Sequence, residues 1–334
     1  MVPTDPAAPA APGDPKPPSA PKLTGCGIDS GFPGDEYCIL PPPPGLGFQI
    51  HTGPSSYDDP DEVAKYVVDA GQETVEFISA TAGNEEDVYF YGRQYRMRPG
   101  SHHLIVSEAG GGGGSVLGPG RRLGGSQNPA KDNPASGTPP ESVGIGVPLA
   151  AHAPLSLNLH YFNASDHPVL KETWVNIWYV DPATVTKEAK EMFLWAQGAA
   201  VQPGATATVT NSREITEAGR VLTMYGHRHS NNVRFSAHLT HEGTRELVYD
   251  DYSWEEPAVL EFNSLTLNAT PNPDAHRTGG HTGILELLPG DTLDWQCDVQ
   301  NNREVPITFG ENEAATSEMC ILVGDALGPA LLGF

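Results

Sequence analysis

Nothing constrains this chain more than the way its apolar residues are cut into short runs. Asp87 to Tyr91, Leu155 to Phe162, Thr173 to Val180, Val221 to His229, Val233 to Thr240, Ile284 to Leu288, Thr292 to Val299 and Glu304 to Phe309 are rich in β-branched and aromatic residues, and Gly, Pro, Asn and Asp punctuate them. In Val233 to Thr240 the alternation is clean, as in a half-buried antiparallel strand. One segment, Asp61 to Ala70, reads as a helix, with Pro60 and acidic residues at its start and Gly71 after its end. Many short strands with few helices argue for an all-β fold of β-sandwiches.

A length of 334 residues suggests two domains, or one large domain plus tails, and 38% hydrophobic residues suffice for real cores. The boundary is expected near Asp181-Pro182, giving one sandwich over 23–181 and a second over 182–334. Residues 1–22, rich in Pro and Ala, cannot bury a core and read as a disordered leader without the basic start or apolar run of a signal peptide. Such a leader often follows a cleaved signal or lipid anchor, so an extracytoplasmic location (secreted, periplasmic or surface-anchored) is expected. Residues 109–142 carry a five-glycine run, Arg121-Arg122 and several prolines, and read as a long mobile insertion without strands.

The formal charge of −23 disfavours nucleic acid and anionic membrane surfaces as partners, and no apolar stretch is long enough to span a bilayer. The four cysteines fall as two local pairs, Cys26/Cys38 and Cys297/Cys320. Four cysteines allow three connectivities. Local pairing is favoured because each pair flanks a short segment, and free buried thiols are the alternative. Disulfides would require an oxidising compartment, consistent with the leader.

Strand geometry makes specific statements about the histidines. His227 and His229, two apart, share a face with Tyr225, while Arg228 points away. Leu155, Leu157 and Leu159 form one face of their strand, so Asn158 and His160 look the other way, into a polar space. His102 and His103 are adjacent and point to opposite faces of a regular strand. To share a ligand they must sit at an irregularity, which Pro99-Gly100 makes plausible. Met319 alone would be core filler. As a set, five imidazoles and a thioether in two groups of three suggest two copper sites, because a thioether is a good ligand for Cu(I) and a poor one for harder cations.

Arg98-Pro99-Gly100-Ser101-His102-His103-Leu104, Asn158-Leu159-His160-Tyr161, His227-Arg228-His229 and Glu318-Met319-Cys320, in this order, resemble the motifs of the copper type II, ascorbate-dependent monooxygenases, relatives of peptidylglycine α-hydroxylating monooxygenase and dopamine β-monooxygenase. The resemblance covers roughly residues 85–325. It implies two tandem jelly-roll-like β-sandwiches facing each other across a solvent-filled cleft, with one copper on each. His102, His103 and His160 would hold an electron-storing copper, and His227, His229 and Met319 the catalytic one. Cys320 would pair with Cys297. Ascorbate would supply electrons, and O2 and a small-molecule substrate would be the partners in hydroxylation of an activated C–H.

The substrate contacts depart from that pattern. Tyr225 stands where peptide-hydroxylating members have an Arg, Asn158 where they have a Gln, and Ile321-Leu322-Val323 replaces polar residues after the Met-Cys pair. A non-peptide substrate is therefore expected at Asn158 and Tyr225. His51, His152, His167, His238, His241, His276 and His281 match no motif and read as structural or surface residues. Two competing readings are a secreted, non-catalytic copper-binding β-sandwich protein and a zinc protein of unrelated fold, the latter disfavoured by Met319. Oligomeric state is open.

Overall fold

A computed structural model describes residues 23–109, 114–115, 118–134, 137–139, 143–254, 256–262, 284–310, 316–329 and 331–333. The leader over 1–22, His276 and His281 lie outside the described residues. The chain is all-β and forms two sandwiches, each with one larger and one four-stranded sheet.

In the first sandwich the larger sheet runs Gly47–Thr52, Thr173–Tyr179, Val88–Met97, Ile145–Leu149, Lys187–Glu188, with Ala130–Asn133 also paired to Val88–Met97. The facing sheet runs Glu73–Thr81, Pro154–Phe162, Ser101–Glu108, Arg121–Ser126. In the second sandwich, Leu260–Glu261, Gly219–Arg228, Cys320–Leu327, Lys190–Trp195 and Leu331–Gly333 lie side by side, with Leu285–Leu287 on Gly219–Arg228. They face Thr206–Glu214, Thr292–Gln300, Asn232–His241 and Thr244–Asp251. The last strand bonded to the first sandwich is Lys187–Glu188, and the second sandwich begins at Lys190, a few residues past Asp181-Pro182.

The leucine parity of Pro154–Phe162 holds in space. Leu155, Leu157 and Leu159 enter the first core with Phe90, Val106 and Val175. Both cystines form, Cys26–Cys38 and Cys297–Cys320, with Cα separations of 5.3 and 5.8 Å. Cys297 packs with Leu293, Trp295 and Val299 in the second core. Among the described residues no helix is long and apolar enough to cross a membrane.

Two local expectations are corrected. The helix is shorter than Asp61 to Ala70: it spans Pro60–Ala64, capped by the Asp59 carboxylate on the Asp61 and Glu62 amides. It stops because Val67–Val68 pairs with Val169–Leu170, burying Val68 completely. The glycine-rich stretch is not strand-free either, since Arg121–Ser126 pairs with Leu104 to Glu108 and Ala130–Asn133 with Arg93 to Arg96. Its glycines serve close approach. A Cβ at Gly125 would stand 2.7 Å from the Leu104 carbonyl oxygen, and one at Gly124 2.2 Å from the Tyr95 hydroxyl.

That same stretch joins the two sandwiches. Arg122 lies over the Phe193 ring at 3.9 Å and pairs with Glu191 at 2.7 Å. Gln127 Nε2 donates to the Arg228 carbonyl at 2.9 Å, and Asn133 Nδ2 to Asp325 at 3.1 Å. Arg93 of the first sandwich forms a buried ion pair with Asp325 of the second. The apolar cores also exchange residues: Ile105 packs into the second core, and Leu222 into the first. The expected solvent-filled cleft is thus replaced by direct docking.

Candidate metal centre

The histidines meet at this junction. His103 pairs with His160 across neighbouring strands, but the next partner of Tyr161 is Ser101, so His102 is an extra residue in a β-bulge. The bulge resolves the problem of adjacent histidines, turning His102 to the side that His103 and His160 occupy. The imidazole centroids of these three lie 4.9–5.1 Å apart. Pro154–Phe162 supplies the reason for His160: its leucine face is committed to the core, so the opposite face is left for Asn158 and His160.

From the second sandwich come His227, at the end of Gly219–Arg228, and His229 just beyond it, with centroids 5.8 Å apart. Arg228 between them points the other way and is fully buried on Asp251 and the Ser253 carbonyl. Gly226 lacks a side chain because the Phe235 ring covers it, 2.4 Å from where a Cβ would sit. The two sets then interdigitate. His102 lies 5.6 Å from His227 and 4.9 Å from His229, and His103 lies 5.2 Å from His227. The ligand nitrogens of His102, His103 and His227 all fall within 4.8 Å of one another. His160, His229 and Met319 line a neighbouring cavity of about 30 Å³, together with His103, Asn158, Val75 and Phe77.

The hydrogen bonds decide which nitrogens are free. His229 Nδ1 faces the Ser317 carbonyl at 3.0 Å, and since a carbonyl only accepts, Nδ1 carries the proton and Nε2 keeps its lone pair. His160 Nε2 is held by Glu73 at 2.5 Å, and His103 Nε2 lies 3.4 Å from Asn158 Oδ1. His102 Nε2, His103 Nδ1, His227 Nε2 and His229 Nε2 are buried with no hydrogen-bond partner among the described residues. Glu318 accepts the backbone N–H groups of His229 at 2.5 Å, Met319 at 2.9 Å and Asn231 at 3.2 Å, which clamps the two ligand-bearing segments together.

Burial dominates the electrostatics. The pKa values of His102, His103 and His227 are driven well below the ordinary value by desolvation, with the neighbouring imidazoles adding to it. Burial takes His229 down to about 4. All four are therefore neutral at pH 7, the form that binds metals. Burial pushes Glu318 up to about 8 against the lowering effect of its three N–H donors.

The donor set fits a copper ion. Four neutral imidazoles each keep a buried nitrogen without a hydrogen-bond partner among the described residues, and three of them bring ligand nitrogens within 4.8 Å of one another with a buried thioether nearby. Two of the histidines have the carboxylate or carbonyl partner on a ring nitrogen that metal-binding histidines commonly have. Bonds of about 2.0 Å in a tetrahedral arrangement need nitrogen separations of roughly 3.3 Å, so ring rotations would close the His102/His103/His227 trio onto an ion.

Of the residues expected to contact substrate, Asn158 is buried beside His103, and Tyr225 sits in the interdomain contact with the Lys131 ammonium 4.8 Å from its ring centre. Arg98 of the first motif is buried on Glu172 at 2.5 Å and Asp35 at 2.7 Å, tying down the Cys26–Cys38 segment. His51, His152, His167 and His241 pair with Glu172, Glu85, Asp166 and Asp291. Glu73, Gln127 and the bracing role of Glu318 escaped the sequence reading. Glu73 lies opposite Phe162 in the antiparallel register, two residues from His160, but only the strand pairing reveals it.

No family model matches this chain, and no curated protein does. The solved structures it matches include the STIV major capsid protein, at 9% identity over 79% of this chain and 97% of that one with a TM-score of 0.31. The major capsid protein P2 of bacteriophage PM2 matches at 9% over 78% and 96%, TM-score 0.32, and the PBCV-1 virus capsid at 10% over 78% and 96%, TM-score 0.22. Likeness at these scores says nothing about what this chain does.

Two expectations are corrected on these findings. No family model and no curated protein ties this chain to the copper monooxygenases, so membership of that family and the oxidoreductase activity drawn from it are withdrawn. The geometry gives a physical reason. The family pattern implies an open cleft in which a metal faces substrate. Here the five imidazoles are 1–5% exposed, and the space beside Met319 is about 30 Å³, the share of one water, where small-molecule pockets run to roughly 300 Å³ or more. The substrate and O2 expected as partners fall with the activity.

Proposed function

We propose that this protein is a non-catalytic copper-binding protein of an oxidising, extracytoplasmic compartment, holding copper where its two sandwiches meet. The observation that carries the reading is the set of four buried imidazole nitrogens, on His102, His103, His227 and His229, without hydrogen-bond partners among the described residues, three of these histidines bringing ligand nitrogens within 4.8 Å of one another. Leaving such groups unsatisfied costs about 1–3 kcal/mol each, a cost that a bound metal removes. Two cystines and no free thiol among the cysteines support the compartment.

Two ions per chain can be accommodated with ligands sorted differently from the chain order. His102, His103 and His227 would hold one, and His160, His229 and Met319 the other. Imidazole suits both oxidation states of copper, and the thioether biases the second position toward Cu(I). The acidic surface implied by the −23 formal charge attracts cations to the protein in general, while the choice among metals is left to the buried nitrogen and sulfur donors.

The test is anaerobic titration of metal-free protein with Cu(I), kept reduced by ascorbate, against a chromophoric Cu(I) chelator, with Zn(II) in parallel. Competitive Cu(I) uptake, weakened at least tenfold in Met319→Leu, is expected, with sulfur visible in the X-ray absorption of the wild type alone. Zn(II) bound in preference to copper, or Cu(I) affinity unaffected in both Met319→Leu and His227→Gln, would overturn the reading.

A further inference from the structure

A second buried polar centre lies in the domain contact, and the histidines have no part in it. Arg93, Arg122 and Lys131 of the first sandwich meet Glu191 and Asp325 of the second around a cavity of about 30 Å³. The carboxylates are already engaged. Asp325 accepts from Arg93, from Asn133 Nδ2 at 3.1 Å and from the Thr223 hydroxyl at 3.2 Å, and Glu191 pairs with Arg122 at 2.7 Å. The cavity lining thus carries three cations against two carboxylates, with the Glu261 carboxylate acting on Lys131 from outside the lining.

Lys131 is 8% exposed. Among the described residues its ammonium has neither a hydrogen bond nor an ion pair, and its contact is with the face of Tyr225 at 4.8 Å. Arg93 Nε is a second buried donor in the same cavity without an acceptor. An ammonium this buried without a hydrogen bond or close ion pair is expensive, and a water molecule filling the cavity would add no negative charge beside it. The cavity is small and its narrowest space suits a single monatomic ion.

We propose that this cavity binds one halide-sized anion, chloride under ordinary conditions, between Lys131 and Arg93, and that the ion is part of the domain contact. Lys131, on a strand of the first sandwich, and Tyr225, on a strand of the second, are brought together only when the sandwiches dock, so the anion binds the docked form and stabilises it. Burial lowers the Lys131 amine to about 8, which leaves it charged at pH 7, ready to hold an anion. The site does not depend on copper, since none of its residues belongs to the histidine cluster.

The test is thermal unfolding of the full chain at constant ionic strength with chloride replaced stepwise by gluconate, in wild type and Lys131→Met, together with anomalous scattering from crystals grown in bromide. A saturable rise in the midpoint with chloride is expected, about 3 °C at a tenfold excess over the dissociation constant. Lys131→Met should lack it, and one bromide should lie beside Lys131. Equal midpoints in chloride and gluconate for the wild type, a chloride response that survives in Lys131→Met, or a cavity without bromide would each overturn the proposal. If Lys131→Met does not fold, the wild-type titration and the bromide crystals decide.

Discussion

Metal-free protein should lose stability steeply as the pH falls below about 6.5, and copper should suppress that loss. In the folded chain His102, His103 and His227 have pKa values well below 6.5 and His229 one of about 4, so all four stay neutral until well below the pH at which the unfolded chain takes up protons. Unfolding therefore binds protons in this window, and stability falls with pH. Glu318 works in the opposite sense: with a folded value of about 8 it is already protonated in the folded chain, while the unfolded carboxylate is ionised down to its ordinary value of 4.5. Lowering the pH from 8 toward 4.5 thus favours the fold by one proton and offsets one histidine. The net is three protons, a slope of about 4 kcal/mol per pH unit at its steepest. His229 alone accounts for about 3 kcal/mol by pH 4. Set against a total stability of roughly 5–15 kcal/mol, this predicts that metal-free protein unfolds, or separates its sandwiches, near pH 5. Urea denaturation from pH 8 to 5, with and without Cu(I), measures it. Copper occupies the same nitrogens, so loaded protein should hold its midpoint to lower pH. A metal-free midpoint that is flat between pH 7.5 and 5.5 would refute the reasoning, because the imidazoles would then have to be solvated in the folded chain.

Two further outcomes follow from single contacts. Asp325→Ala removes the acceptor of Arg93, Asn133 and Thr223, leaves the Arg93 guanidinium buried without its carboxylate, and should cost about 3–5 kcal/mol in urea denaturation. Gln127→Ala deprives the Arg228 carbonyl of a buried donor, should cost about 1–3 kcal/mol, and should also weaken Cu(I) binding by chelator competition, because that carbonyl lies between the His227 and His229 side chains.

Which faces of their strands the histidines take was legible in the sequence; that the two sets meet was not. Two-residue periodicity correctly set Leu155, Leu157 and Leu159 against Asn158 and His160, and put His227 and His229 on one side. The irregularity required by His102-His103 appears as the bulge opposite His160 and Tyr161. Periodicity within a strand carries no information about the neighbouring domain, however. The family resemblance implied one trio per domain and a cleft between them. The Gly-rich composition of 109–142 misled for a related reason. Glycine marks both flexible loops and places where neighbouring atoms come too close for a side chain, and Gly124 and Gly125 are of the second kind. The strands they permit carry Arg122, Lys131 and Asn133 to the second sandwich.

The domain contact and the metal centre are consequently one energetic unit. Gln127 reaches across the junction to the peptide that separates two of the histidines, and the ligand trio within 4.8 Å draws on both sandwiches. An ion held by that trio binds the docked arrangement and has little affinity for the separated one, so copper and docking stabilise each other by the same free energy. The buried charges of Arg93 and Asp325 fix which docking is allowed, because any rotation of one sandwich on the other strands a guanidinium or a carboxylate away from water. A metal bound between the docked sandwiches would satisfy buried imidazole nitrogens that have no hydrogen-bond partner among the described residues.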